Sequence, residues 1–190
     1  MLKILHVSFS DSVGGAAIAM NRLHQALKKS GVDSKVLVVQ KATNDPDVIG
    51  PSNKIETLFS EFKIKLARYL RRKLLKTSNY ESFSFNLLNT GLLKKINKID
   101  ADIVHLHWIG NEMLSISQIK KIKKPIIWTF WDMWPMCGAE HHSYDRRFIE
   151  GYKTNNRPND EKGIDLNRMI WLHKTKHLDF DFTIIAASKW

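Results

Sequence analysis

The first forty residues carry a strand, a helix and a second strand in close succession. Residues 2–7 read LKILHV and residues 35–40 read KVLVVQ, two short apolar runs typical of buried strands. Between them, apolar residues recur at helical spacing from Ile18 to Leu27, and Ser30 with Gly31 is typical of a helix end. Two strands joined by a helix within so short a span predict a right-handed βαβ unit with parallel strands.

The remaining residues continue the same alternation of strands and helices. The 190 residues suffice for one well-buried domain. Apolar runs predict further strands at 102–108, 125–130 and 182–187, and helical spacing predicts helices at 54–76, 91–99, 113–121 and 165–178. Residues 77–90 and 131–164 read as connections, and at residues 188–190 a further helix begins as the chain ends, which indicates a truncated longer protein. The predicted fold class is α/β, a Rossmann-like parallel sheet with helices on both faces.

Composition excludes several classes of protein. No apolar run approaches the roughly 20 residues that a membrane span needs. The amino terminus is apolar over too short a stretch for a signal peptide, and one cysteine, Cys137, cannot form an internal disulfide. These features predict a cytoplasmic protein in a reducing compartment, with Cys137 as a small packed residue.

The positive charge is concentrated in one predicted helix. Residues 54–76 hold eight Lys and Arg against two Glu, a net charge of +6 out of +11 for the chain. The apolar side chains of this helix share one face, which we expect to cover the sheet. Its cations predict contact with an anionic membrane surface, at about 1 kcal/mol per residue. No nucleic-acid recognition motif accompanies the charge. The predicted membrane-surface cations are Lys63, Lys65, Arg68, Arg71, Arg72, Lys73 and Lys76.

Three stretches place polar or aromatic residues where parallel strands end, which is where open α/β sheets bind ligands. The first is Gly14-Gly15-Ala16-Ala17, after the first strand. Small residues there let a phosphate or a sugar approach the backbone N–H groups at a helix N-terminus. The alternative interpretation is a tight turn that serves only helix packing.

The second stretch is His105-Leu106-His107-Trp108, in which a spacing of two places both imidazoles on one face of the sheet. Together with His141 and His142 these imidazoles could form a zinc site. We favour one packed histidine and one that hydrogen-bonds a ligand, because no acidic ligand stands at a convincing spacing.

The third stretch is TFWDMWPMCGAEHHSYD, residues 129–145, which directly follows a predicted strand. Trp131 and Trp134 offer flat apolar faces that suit the C–H faces of a sugar. Asp132 and Glu140 can accept hydrogen bonds from its hydroxyls. The alternative is a loop that its aromatic side chains merely fix to the domain.

With these stretches the chain resembles the N-terminal domain of the family 4, or group 1, glycosyltransferases of the GT-B fold. The resemblance covers residues 1–190 and rests on five segments in the family's order: KILHVSFSDSVGGAAIAMNRLHQAL, DIVHLHWIG, KPIIWTFWDMWPMCGAEHHSYD, DLNRMIWLHKTKH and IIAASKW. It implies the acceptor-side half of a two-domain enzyme whose C-terminal donor-binding domain is absent from this chain, so that the chain alone is inactive.

The resemblance also implies a reaction. A nucleotide-sugar gives up its sugar, with retention and without a metal or other cofactor, to an acceptor that is lipid-linked in many members. Gly14 and Gly15 would lie near the donor diphosphate. Many members carry His-Asp after the fourth strand, where this chain has Trp131-Asp132, so His107 or His141 would take over the histidine's role. The expected catalytic residues are Asp132 and His107, and the expected substrate-binding residues are Gly14, Gly15, Ala16, Trp108, Trp131, Glu140 and His141.

Two other functions fit the same residues. The histidines could serve a zinc-dependent hydrolase, which metal analysis would reveal. The chain could also be a non-catalytic, membrane-associated subunit that lends an acceptor site to a separate partner.

Overall fold

The computed structural model describes residues 1–76 and 82–187. Its strands are β1 Lys3–Ser10, β2 Asp33–Gln40, β3 Val48–Ile49, β4 Leu75–Lys76, β5 Ile103–Leu106, β6 Ile126–Phe130, β7 Lys162–Gly163 and β8 Thr183–Ala186. Its helices are α1 Gly15–Lys29, α2 Lys54–Leu74, α3 Leu92–Lys98, α4 Ile116–Ile119, α5 Arg147–Glu150 and α6 Leu166–His177, with a 3-10 turn at Thr154–Asn156.

Six strands form one parallel sheet in the order β3-β2-β1-β5-β6-β8. The chain starts in the middle, builds outward through β2 and β3, and then crosses to the other side of β1. The order therefore reverses between β1 and β5, which is the topological switch point of a Rossmann-like sheet. The α/β fold class and the five predicted strands are confirmed.

Three details differ from the expectations. The two-residue strand β3 was missed, and β4 pairs antiparallel with β7 in a region expected to be helix end and loop. Within residues 113–121, where a helix was expected, only α4 is helical. The helix start expected at residues 188–190 and part of the connection at 77–90 lie outside the described residues.

One face of the sheet carries the main hydrophobic core. Because side chains alternate along a strand, Leu5 and Val7 of β1 point to this face and His6 and Ser8 to the other. The core joins these residues to apolar side chains of β2, β5 and β6, and helices α3, α4 and α6 contribute Ile96, Ile116 and Ile170 to it.

The opposite face is covered by α1 and holds an unusual polar layer. Its four imidazoles are almost wholly buried. His6 Nδ1 lies 2.9 Å from His107 Nε2, and His24 Nδ1 lies 2.7 Å from the Ser34 hydroxyl. Burial lowers the pKa of all four, to about 3 for His6 and about 4 for His105. We call this set the histidine layer: His6, His24, His105 and His107.

Helix α2 is rotated from the expected orientation. Its Phe59 and Phe62 do not cover the sheet, since Phe59 is 50% exposed and Phe62 is 58% exposed, whereas Ala67, Leu70 and Leu74 pack against the core. Instead, Lys63 is buried, and its ammonium donates a hydrogen bond of 2.5 Å to the Glu112 carbonyl. The prediction that Lys63 lies on a membrane-facing surface was therefore wrong. We call the exposed set the apolar ridge: Ile55, Leu58, Phe59, Phe62 and Tyr69.

No helix in the described part of the chain combines the length and the hydropathy that crossing a bilayer requires.

Candidate functional site

A cavity of about 890 Å³ opens at the carboxyl ends of β1 and β5, at the switch point of the sheet. The end of β1 and the start of α1 form one side, and residues that follow β5 and β6 form the other. We call it the strand-end cavity. Its lining includes Ser8, Phe9, Ser10, Val13, Gly14, Gly15, Ala16, Ala17, Arg68, Trp108, Asn111, Trp131, Asp132 and His142.

The diglycine turn forms one wall of this cavity. Gly14 adopts φ +91° and ψ 160°, a conformation essentially restricted to glycine, and α1 begins at Gly15. A Cβ at either glycine would meet no atom within 4 Å, so the turn does not exist to let another segment pack closely. It leaves the N-terminus of a 15-residue helix open to the cavity, where N–H groups and the helix dipole favour an anion.

The loop before this turn is fixed by a buried carboxylate that sequence reasoning missed. Asp11 accepts hydrogen bonds of 2.9 Å from the N–H groups of Ala42 and Thr43, and a third from the Thr43 hydroxyl. Burial alone would raise the pKa of Asp11, but the hydrogen bonds from Thr43 and Ala42 prevail and lower it. Asp11 thus stays ionised and ties the end of β1 to the loop after β2.

Asp132 forms the opposite wall and joins the aromatic residues together. Its Oδ2 accepts a hydrogen bond of 2.7 Å from the Trp108 indole N–H and lies 2.6 Å from His141 Nδ1. Its Oδ1 accepts the backbone N–H of Trp134 at 3.0 Å. Burial would raise the pKa of Asp132, but the interactions with His141 and Trp108 prevail and lower it. The carboxylate therefore stays ionised at the cavity edge.

Behind Asp132 the network continues to a serine. His141 Nε2 lies 2.7 Å from the Ser84 hydroxyl oxygen, which also accepts the N–H of Asn111 at 2.8 Å. The order acid, imidazole, hydroxyl is that of a hydrolytic triad. Ser84 is only 1% exposed and does not line the cavity, so a substrate does not reach this hydroxyl. The chain of contacts instead holds His141 and Asp132 in one orientation.

The family model described as Glycosyltransferase Family 4 matches residues 13–161. The chain belongs to glycosyltransferase family 4. The match confirms the resemblance to the N-terminal domain of a GT-B enzyme, and the six-stranded sheet is consistent with one half of that fold. Neither the comparison with curated proteins nor that with solved structures finds a match.

In this family 4 domain, His107 lies beneath the cavity rather than in its wall. It is 2% exposed, and its Nδ1 accepts a hydrogen bond of 3.3 Å from the Trp131 indole N–H. Its Nε2 faces His6. Burial lowers the pKa of His107 well below its usual value. Its described contacts therefore support Trp131 from below.

Glu140 also lies away from the strand-end cavity. It is 2% exposed and accepts a hydrogen bond from the Tyr152 hydroxyl. Burial raises the pKa of Glu140. Nearby, the ammonium of Lys174 donates to the backbone carbonyls of Trp134, Cys137 and Gly138, and burial lowers its pKa to about 7. This cluster secures the loop that follows Asp132.

The structure thus gathers part of the predicted site. Gly14, Gly15, Ala16, Trp108, Trp131 and Asp132 line one cavity, His141 and His107 stand behind it, and Glu140 lies elsewhere. Sequence reasoning missed Asp11, Asn111 and Ser84. Asp11 had a signal, as an acid between a strand and a glycine turn, and Asn111 had one as a polar residue in the loop after β5. Ser84 had none, because it reaches His141 from a separate loop.

The histidines group differently from the predicted zinc set. His141 and His142 do not join His105 and His107 in any candidate cluster within the described ranges. Instead His6 joins them, with one ligand atom from each of the three within 4.8 Å of the others. His105 Nε2 already lies 2.8 Å from the Thr129 hydroxyl, and His6 Nδ1 and His107 Nε2 contact each other.

Proposed function

We propose that this family 4 domain is the acceptor side of a retaining, metal-independent transferase that moves a hexose from a nucleotide-sugar to a lipid-linked glycan in surface polysaccharide synthesis. The observation that carries the proposal is the strand-end cavity, where the diglycine turn faces Trp131 and Asp132. A C-terminal domain would supply most of the donor site, so the chain alone would not turn over, and no cofactor would be needed beyond the donor.

Each wall of the cavity has a chemical role in this proposal. The open N-terminus of α1 offsets negative charge on the donor diphosphate, beside Gly14. The indole of Trp131 offers an apolar face to a sugar ring, and the ionised Asp132 accepts a hydrogen bond from a sugar hydroxyl. Because Asp132 is already oriented by Trp108 and His141, binding the sugar costs little further ordering.

Sugar transfer by the natural gene product tests these roles. With a panel of labelled nucleotide-sugars and a lipid extract as acceptor, Asp132→Ala should lower turnover by about a hundredfold or more, as loss of an oriented polar group in an active site does. Asp132→Asn, which keeps the shape, separates loss of charge from loss of packing. Asp179→Asn, at an exposed acid, is the matched control. Wild-type turnover in Asp132→Ala would refute the assignment.

We also propose that α2 places the domain against an anionic, cytoplasmic membrane surface. The apolar ridge points away from the domain, and exposed cations such as Lys65 and Lys73 share the helix with it. Apolar side chains beside cations fit a helix that lies in the lipid interface. Each cation near the surface would contribute about 1 kcal/mol.

Vesicle co-sedimentation tests the membrane contact. Phe59→Ser and Phe62→Ser should each weaken binding to vesicles that contain phosphatidylglycerol, and raised salt should weaken it further because the cation contribution is screened. Ile149→Ser is the control, because Ile149 is a similarly exposed apolar residue (66% exposed) that lies on α5 and not on α2. Equal losses in all three variants would contradict a role for the ridge.

A non-catalytic acceptor-binding subunit would give a different pattern. It would bind glycan at the strand-end cavity, seen as a change in tryptophan fluorescence that Trp131→Phe removes, yet its natural gene product would transfer no sugar from any nucleotide-sugar. The transfer assay therefore separates the two.

A further inference from the structure

A second cluster of ionisable side chains lies between α1 and the loop that precedes β3. It joins His24 of α1 to Asp45 and Asp47, and one ligand atom from each lies within 4.8 Å of the others. None of the three is among the described residues that line the strand-end cavity. We call this set the His24 cluster: His24, Asp45 and Asp47.

His24 contributes a buried nitrogen without a partner. The residue is 0% exposed, and its Nδ1 lies 2.7 Å from the Ser34 hydroxyl oxygen. Its Nε2 is also buried and has no hydrogen-bond partner within residues 1–76 and 82–187. Asp45 Oδ2 lies 3.6 Å from this nitrogen, which is too far for a hydrogen bond. A buried polar atom without a partner costs free energy, so a group that binds it stabilises the domain.

The imidazole of His24 is in the form that binds metals. Burial lowers its pKa, although the charge of Asp45 acts in the opposite direction, so the ring is neutral at neutral pH. When Nδ1 donates its hydrogen to Ser34, Nε2 carries a lone pair, as in metal-binding histidines whose other ring nitrogen donates to an oxygen. A lone pair and a carboxylate repel each other at 3.6 Å, and a cation between them removes the repulsion.

The carboxylate of Asp45 is already oriented. Its Oδ1 accepts the backbone N–H of Asp47 at 2.9 Å, and its Oδ2 accepts a hydrogen bond of 2.8 Å from the Gln25 side chain. Burial would raise the pKa of Asp45, but these hydrogen bonds and the charge of Lys28 prevail and lower it. The backbone carbonyl of Asp47 accepts the N–H of Val36 in β2 at 2.9 Å. The loop therefore holds an ionised carboxylate in a fixed position beside His24.

Lys28 contacts the same carboxylates without satisfying the histidine. Its ammonium donates a hydrogen bond to Asp47 Oδ2 and lies 3.8 Å from Asp45 Oδ1. The Nε2 of His24 still lacks a partner among the described residues. The Lys28 side chain is 34% exposed and has a flexible stem, so it can turn to solvent and leave the carboxylates to another cation.

We propose that the His24 cluster binds a divalent transition-metal cation such as Mn²⁺, through His24 Nε2 and one oxygen each from Asp45 and Asp47. Two ligands that are each about 2.1 Å from one cation lie about 3.0–4.2 Å apart. The 3.6 Å between Nε2 and Asp45 Oδ2 falls within that range. One imidazole with two carboxylates suits Mn²⁺ better than Mg²⁺ or Ca²⁺, which favour oxygen ligands alone.

The cation cross-links α1 to the loop before β3 and thereby stabilises the domain. It takes no part in sugar transfer, because the cluster does not line the strand-end cavity, so this inference goes beyond the proposed function. Because Lys28 competes for the carboxylates, the cation exchanges readily, and a chain purified without added metal retains little of it.

Titration of the chelator-treated chain with manganese chloride tests the site, with free Mn²⁺ measured by electron paramagnetic resonance. The chain should bind about one Mn²⁺, and Asp45→Asn and Asp47→Asn should each weaken binding by at least about tenfold, the loss that removal of a group behind a metal ligand already causes. Lys28→Met should tighten binding several-fold, because the competing ammonium is gone. Asp100→Asn is the matched control, since Asp100 also pairs with a lysine, Lys3, but belongs to no candidate metal cluster in the described chain.

Pulsed electron paramagnetic resonance identifies the nitrogen ligand. Bound Mn²⁺ should show coupling to an imidazole nitrogen, and His24→Gln should remove that coupling. Thermal melting should show that Mn²⁺ stabilises the wild-type chain and not Asp45→Asn, because a cation that binds only the folded state raises its stability. Circular dichroism checks that each variant is folded.

Four results would overturn the proposal. These are no saturable Mn²⁺ binding by the wild-type chain, an equal loss in Asp100→Asn and Asp45→Asn, an unchanged affinity in Lys28→Met, or bound Mn²⁺ without nitrogen coupling. All four are measured without a sugar donor or acceptor, so failure of this inference and failure of the transfer assay on Asp132 are distinguishable.

Discussion

Acid should destabilise this domain well above the pH at which its carboxylates protonate, because of the histidine layer. An unfolded chain binds a proton at each histidine below about pH 6.5, whereas burial and the neighbouring His105 and His24 hold the folded-state pKa of His6 at about 3. Burial alone holds that of His105 at about 4. Between these values the unfolded state binds more protons at these two groups than the folded state does, so their contribution to stability is fully present above about pH 6.5 and is lost as the pH decreases.

The size of the effect follows from the same values. At about pH 5 the solution is about 1.5 units below the unfolded pKa, and at about 1.4 kcal/mol per unit each of His6 and His105 loses about 2 kcal/mol. Together they remove about 4 kcal/mol from a domain whose total stability is of the order of 5–15 kcal/mol. The lowered pKa values of His24 and His107 add to the loss.

Urea unfolding at about pH 7.5 and about pH 5 measures this loss. Glu112 and Glu140 oppose it, since burial raises their pKa values, so the comparison between variants is the decisive quantity. His6→Asn should reduce the pH-dependent loss by about 2 kcal/mol, whereas His142→Asn, at an exposed position, should leave it unchanged. An identical loss in wild type and His6→Asn would refute the idea that the buried imidazole is neutral.

Three further predictions concern the turn, the loop and the metal content. Gly14→Ala should lower the free energy of unfolding by about 2 kcal/mol, because the backbone conformation of Gly14 excludes a side chain. Gly15→Ala should leave the free energy of unfolding unchanged, because Gly15 is helical and has open space around it. Thermal melting of the two variants compares them. Lys174→Met should cost roughly 3 kcal/mol or more, because three backbone carbonyls lose their donor, whereas exposed Lys176→Met should be neutral in urea unfolding. Mass spectrometry of purified protein should find less than one zinc per chain, because hydrogen bonds already occupy nitrogens of the histidine layer. The hydrolase alternative would instead gain support from one zinc per chain, removed by a chelator with loss of stability.

The sheet was predictable because its signals are local. Each of the five predicted strands is a short run rich in apolar residues. The connections between them are too long for hairpins, which favours parallel crossovers. The two-residue strands β3, β4 and β7 were not predictable, because a pair of residues carries no period. Their pairing depends on what the tertiary fold places beside them.

The site was predictable only where strand ends define it. Trp108, Trp131 and Asp132 follow β5 and β6, and parallel topology brings those ends to one edge. Whether a polar residue then faces the cavity or the interior depends on partners from other loops. Glu140 points to the interior, where it contacts the Tyr152 hydroxyl, and His141 points to the interior, where it contacts the Ser84 hydroxyl. No periodicity in the sequence encodes either pairing.

Helix α2 shows how a failed prediction carries functional information. Burying Lys63 costs free energy that the hydrogen bond from its ammonium to the Glu112 carbonyl and the nearby Glu112 charge must offset. Exposing Phe59 and Phe62 has a further cost, because each leaves apolar surface in water. A chain that accepts both costs violates the rule by which amphipathic helices pack, and such violations concentrate at functional surfaces. The same rotation places Arg68 in the lining of the strand-end cavity and turns the apolar ridge to solvent, which fits the membrane contact proposed for α2.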